Sequence, residues 1–291
     1  MLKPALRPVL TGGLLALGIA SAAQAQVATT DVVPGGTPGW TFAAAPYLWT
    51  PTIGGQMTSV TPNGQTVTTN TSISFGDYLS DINFAAQLGG AARYDRFSIL
   101  TDLVYMNQSM TGSETKPTRV NPGTGPIDIP AALTLGTGTH LSAGTWSLAG
   151  GYTVLSGDWG NIDAVAGIRM LFINSTTNLA LTTNITTPNG SLALGKSTTL
   201  TLNTTKVEGI GGITGRINIP NSQFYIPFYL DAGGGAVPFT WQAYAAIAYK
   251  ASSWADVSAG YRYMMFQNGS STQGVQHLDF SGLILAANIK F

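Results

Sequence analysis

Arg93, Asp102, Asp163, Arg169, Glu208, Arg216, Asp231 and Arg262 share one setting. Each lies in a run where alternate residues are apolar or small, and each occupies the other, polar phase. Four guanidinium groups and four carboxylates in such company have two uses. They can line a passage with an arginine side and an acid side, which selects ions or small polar solutes. They can equally pair with one another, because an unpaired buried ion costs several kcal/mol. Metal chemistry has no comparable support. There is no cysteine, no His pair at ligand spacing, and the carboxylates are scattered. No glycine-rich loop follows a strand and opens a helix in the phosphate-cradling manner, and no cofactor is expected.

The elements that position these charges are strands. A period of two recurs along the chain, as in Ile82, Phe84, Ala86, Leu88, Ala92 and Tyr94, expected outward, against Asn83, Gln87 and Arg93. It returns in Ile162, Ala164, Ala166, Ile168 and Met170 against Asp163 and Arg169, and in Val257, Ala259, Tyr261 and Tyr263 against Ser258 and Arg262. Only 9% of residues are charged, against roughly 25% in soluble domains. A soluble sandwich would turn its apolar face inward, and here too little charge remains to cover the outside. Beyond the N-terminus there is no apolar run of about 18 residues, which excludes a helical membrane protein. An antiparallel up-and-down transmembrane β-barrel, with its apolar face to lipid and its polar face inward, satisfies both facts. Near-neutral charge gives no reason to expect nucleic acid as a partner.

Residues 1–25 read as a cleaved signal peptide: Lys3 and Arg7, an apolar core, then Ala23-Gln24-Ala25. A short periplasmic segment, 26–38, precedes the barrel, 39–291. Tight connections at Tyr94-Asp95-Arg96, Ser156-Gly157-Asp158, Pro220-Asn221-Ser222 and Ala251-Ser252-Ser253 alternate with Thr/Asn/Gly-rich links at 109–139, 175–205 and 267–275. Short periplasmic turns and long outer loops are the expected assignment. The count is ten strands. Two Thr-Pro-Asn-Gly turns, in "VTPNGQTVT" and "TTPNGSLAL", would make it twelve if they mark further barrel strands instead of long hairpins. "FGDYLSDIN", 75–83, has spacing for a short helix at the barrel mouth, with a plain loop as the alternative. Trp40, Tyr94, Trp146, Trp159, Trp241, Trp254 and Phe291 are placed to form interfacial girdles. Tyr47 and Trp49 are candidates for the mouth.

The ordered set "PYLWTPTIGG", "FGDYLSDINF", "TDLVY", "AGIRM", "YLDAGGG", "AGYRYM" and a terminal Phe resembles a family of Gram-negative outer-membrane barrels, named mostly as porin-like. The resemblance implies a barrel of about this strand count in the outer membrane, amid outer-membrane lipid and lipopolysaccharide, and a porin-like channel for small polar solutes or ions. The alternative is a closed structural barrel whose charges are locked in pairs. The ending "LILAANIKF" resembles the signal read by the barrel-assembly machinery: Phe291 last, with Ile289 and Leu285 in its phase.

An enzyme is not expected, although two sites were weighed. "THLSAG" places His140 two residues from Ser142 and is similar to the His-x-Ser of outer-membrane lipid A deacylases, with departures on both sides. "QHLDFSG" places His277, Asp279 and Ser281 on one strand face, as a rim-located hydrolase would need.

Overall fold

The computed structural model describes residues 39–60, 66–120, 129–187, 190–268 and 274–291. The expected signal peptide, the segment 26–38, and residues 61–64 and 188–189 of the two Thr-Pro-Asn-Gly turns lie outside them. Eleven strands follow in chain order: β1 (Trp40–Val60), β2 (Thr66–Ile73), β3 (Ile82–Tyr94), β4 (Phe97–Val120), β5 (Ile129–Gly157) and β6 (Gly160–Thr187). The remainder are β7 (Gly190–Asn218), β8 (Phe224–Gly235), β9 (Phe239–Lys250), β10 (Ala255–Gln267) and β11 (Gly274–Lys290). From β3 to β11 each strand pairs antiparallel with the next, and β11 returns to β1 along Ala43–Thr58. Phe42 and Phe291 exchange reciprocal backbone bonds of 3.0 Å at the closing seam. Among the described residues β2 pairs only with the upper part of β1, Ile53–Val60, so the wall itself has ten strands. The first Thr-Pro-Asn-Gly turn therefore joins a hairpin above the wall, and the second joins β6 to β7 without adding a strand.

Alternation sets what each face carries. Phe97, Ile247, Val257, Tyr261, Leu283 and Leu285 are exposed outward, while the polar phase is buried. Trp40, Tyr94, Phe97, Tyr152, Trp254 and Phe291 ring the short-turn end. Phe84, Tyr105, Trp146, Phe172, Trp241 and Tyr263 lie toward the other. The eleven residues from Tyr94 back to Phe84, tilted as barrel strands are, span about 25 Å of apolar band. That is the hydrocarbon thickness such a barrel needs.

The strands are unequal. β8, β9 and β10 have 12, 12 and 13 residues, whereas β4, β5, β6 and β7 have 24, 29, 28 and 29. The expected loops at 109–139 and 175–205 are thus largely strand. Their threonines and small residues suit a pleated ladder, and β4–β7 rise as a four-stranded sheet well above the wall.

Two local irregularities shape the entrance. A bulge between Ile82 and Phe84 turns Ile82 toward the interior apolar cluster and Asn83 outward onto Asn107, reversing the facing expected from strict alternation. The β1–β3 ladder ends at Pro46 and Leu88. Above it the Gln87 side chain takes the Trp49 N–H at 2.6 Å and donates to the Trp49 carbonyl at 3.3 Å. Helix α1 (Phe75–Tyr78) and a 3₁₀ turn (Leu79–Asp81) lead into β3, and the Tyr78 hydroxyl donates to the Pro51 carbonyl at 2.6 Å. The short helix expected here is present. The Ser74 hydroxyl and N–H both donate to Asp77, which holds that exposed carboxyl below its usual range.

Gly144 sits between Tyr105 and Phe172 in one cross-strand row, and a Cβ there would lie 2.3 Å from the Phe172 ring and 2.7 Å from the Val104 carbonyl. Gly138 has open space at the same test. Gly144→Val should therefore lower unfolding stability in lipid vesicles by about 1–3 kcal/mol, while Gly138→Val leaves it unchanged. Heat-modifiable gel migration and denaturant titration read both.

Candidate functional site: the barrel interior

All eight charges singled out in the sequence point into the barrel, and each is 0–3% exposed. The structure groups them with partners that alternation alone does not identify. Arg93 is ion-paired with Asp163 and also donates to Thr153 at 2.6 Å. Thr153 in turn donates to Asp163 at 2.8 Å, and the Asn161 amide does so at 3.0 Å. Farther up the barrel, Arg169 pairs with Asp231, which also accepts from the Tyr229 hydroxyl at 2.8 Å. Glu208 lies directly across the β6–β7 ladder from Arg169.

Arg262 donates to Gln242 at 2.7 Å and stacks over Trp49, its guanidinium carbon 4.5 Å from the ring centroid. A desolvated cation over an indole is favourable by about 2 kcal/mol. Asp102 accepts from the Tyr47 hydroxyl at 2.9 Å. Tyr47 and Trp49, expected near the mouth, thus point inward and hold charges. Near the short-turn end the Arg216 guanidinium lies 5.4 Å from the Tyr225 ring centroid. Tyr225 donates to Asp256 at 2.8 Å, and Asp256 is ion-paired with Lys290 at 2.7 Å. Asp256 is an interior charge the sequence reading passed over, although it is in phase with Ser258 and Arg262.

Above Arg262 comes an apolar layer. Ile53, Tyr78, Met264, Phe266, Leu278 and Phe280 are all no more than 6% exposed and belong to one cluster with Trp49 and Ile284. Phe266 and Phe280 meet edge to face with centroids 6.4 Å apart. Their phase is the polar, inward one, so an aromatic there was the available sign of a filled interior.

The two histidine sites do not assemble a nucleophile, base and acid. His277 contacts Asp279 at 3.0 Å. Ser281 is four residues along the same strand, about 13 Å away. His140 bonds Ser109 on β4 at 2.9 Å, while Ser142 accepts from Asn107 at 2.7 Å.

No protein-family model matches the chain, and no curated protein sequence matches it. Solved structures with a similar fold include the outer membrane protease OmpT of Escherichia coli, at 12% identity, covering 88% of this chain and 98% of that one, with a TM-score of 0.40. The attachment invasion locus protein Ail of Yersinia pestis is 6% identical over 88% of this chain and 100% of its own, TM-score 0.28. Neisserial surface protein A is 10% identical over 87% and 99%, TM-score 0.26. These neighbours are outer-membrane β-barrels, and the likeness is one of architecture alone. The chain is a closed, ten-stranded antiparallel β-barrel with an apolar outer band.

Removing one member of a buried pair strands the other. Arg169→Ala or Asp231→Ala alone should cost about 3–5 kcal/mol of unfolding free energy. The double variant should cost clearly less than the sum. Denaturant unfolding of the four proteins in vesicles measures the coupling.

Proposed function

We propose that this protein is a bacterial outer-membrane barrel with a closed interior, in which the charges act as cross-braces between strands. The observation that carries this reading is the pairing of Arg93 with Asp163 and Arg169 with Asp231 at 0–1% side-chain exposure, beneath a packed apolar layer. An ion-selective passage needs hydrated, reachable charge along its length, and these four groups are buried and paired. The rival reading is a porin-like channel for small polar solutes or ions, lined by the same eight residues. With its interior closed, the barrel acts through what it displays: a rigid membrane anchor carrying the β4–β7 sheet outward. No hydrolase or other enzyme role is assigned, since neither histidine has both a nucleophile and an acid beside it.

In this reading the chain is exported by its signal peptide, 1–25. It is then delivered to the barrel-assembly machinery through the terminal strand, where Leu285, Ile289 and Phe291 share the lipid-facing phase.

Purified protein in planar bilayers should give no steady single-channel steps, and liposomes containing it should not swell in small sugars. Discrete ohmic steps, with opposite shifts of ion preference in Arg262→Ala and Asp231→Ala, would establish the channel instead.

A further inference from the structure

The outward face of the projecting sheet continues the lipid-facing wall, and its chemistry changes abruptly above the aromatic ring. Over Tyr105 and Phe172 comes a registered row of Asn107, Ser142, Asn174 and Asn203. The next row is Ser109, His140, Thr176 and Thr201, and the one above is Thr111, Gly138, Asn178 and Thr199. Two more follow: Ser113, Gly136, Ala180 and Ser197, then Thr115, Thr134, Thr182 and Gly195. None of these positions is charged. The charged residues next to these rows, Glu114, Lys116, Lys196 and Lys206, fall in the opposite phase of their strands, and the nearest charge in the outward phase above them, Arg119, stands two rows higher.

Neighbouring groups on this face already bond one another. Asn83 donates to Asn107 at 3.1 Å and to Ser109 at 2.8 Å, Thr199 donates to Asn178 at 2.8 Å, and the Thr115 and Thr134 hydroxyls are 3.0 Å apart. These bonds orient Asn107, Ser109, Asn178 and Thr199, and Thr111, Ser113, Asn174, Asn178, Ser197, Thr199 and Thr201 are exposed. Columns lie about 4.8 Å apart and rows about 6.8 Å apart, a spacing on the scale of a sugar ring.

We infer that this face docks the saccharide portion of the surrounding outer-leaflet lipid. Continuity with the lipid-facing band places it beside that layer. A docking face for the lipid's phosphates would present Lys or Arg, and the five rows carry neither. Uncharged hydroxyls and amides, offering donors and acceptors together, complement sugar hydroxyls. The inference rests on the outer-membrane placement proposed above, but not on a closed interior.

The test uses the full mature chain, refolded in detergent, and compares lipopolysaccharide carrying its core saccharide with lipid A, which shares the acyl chains and phosphates. The saccharide-bearing lipid should bind about tenfold more tightly. Thr176→Val/Thr199→Val/Thr201→Val, which keeps the β-branched shape, should bring it to the lipid A level. Unchanged heat-modifiable migration would show that the variant is folded. Equal binding of the two lipids, or a triple variant that keeps the preference, overturns the proposal. Bilayer conductance is indifferent to either outcome, so this result and the closed-interior reading fail separately.

Discussion

Hydrocarbon offers no partner to a backbone amide, and every other property of this chain follows from that constraint. A sheet in lipid must close, since each unsatisfied edge group would cost several kcal/mol. Closure here is the pairing of β11 with β1, finished by the reciprocal Phe42–Phe291 bonds. Once the wall is closed, strand alternation leaves each side chain one of two destinations. The outward set has to be apolar across the band. The inward set shares a narrow space, where charge is tolerated only with a partner. Arg93 with Asp163, Arg169 with Asp231, and Arg262 over Trp49 are three solutions to that second demand.

The wall is not uniform around its circumference. Where β3 leaves β1 above Pro46, no strand pairs with that edge until β2 joins at Ile53, and in between side chains take over the backbone's needs: Gln87 for Trp49 and Tyr78 for Pro51. Proline at position 51 fits this edge, because its missing N–H faces a side where no strand carbonyl waits. Tyr78 enters the interior apolar cluster at the same place, so the irregular stretch of wall and the filled upper interior are built from shared residues. On the far side, β4 to β7 keep their ladders long after the membrane has ended. Wall and projection are thus one continuous sheet.

Much of this was legible from period two. The facing of all eight charges, the lipid-facing series ending in Phe291, and the ten-strand count follow from alternation and turn spacing. Three things escaped it, each for a physical reason. A bulge shifts phase by one residue, so Ile82 and Asn83 were assigned to each other's faces. Threonine and asparagine outside the membrane lose the apolar contrast that marks a strand, and the β4–β7 extensions looked like loops. Period gives the direction of a side chain but not what it meets across a lumen. Tyr47, Trp49 and Asp256 could not be matched to Asp102, Arg262 and Lys290 from spacing.

The claim with most riding on it is that the interior around Arg169 is dry. The chain has no cysteine, so a single introduced thiol reports its own surroundings. Ser147 is 2% exposed and lies in one cross-strand row with Asp102 and Arg169. In Ser147→Cys a small water-soluble thiol reagent should leave the folded barrel unmodified for hours and react at once after denaturation. A Ser113→Cys control on the projecting sheet should react throughout. Modification of Ser147→Cys in the folded barrel at the rate of that control would contradict the account, because water and solutes would then reach the charges it holds to be sealed.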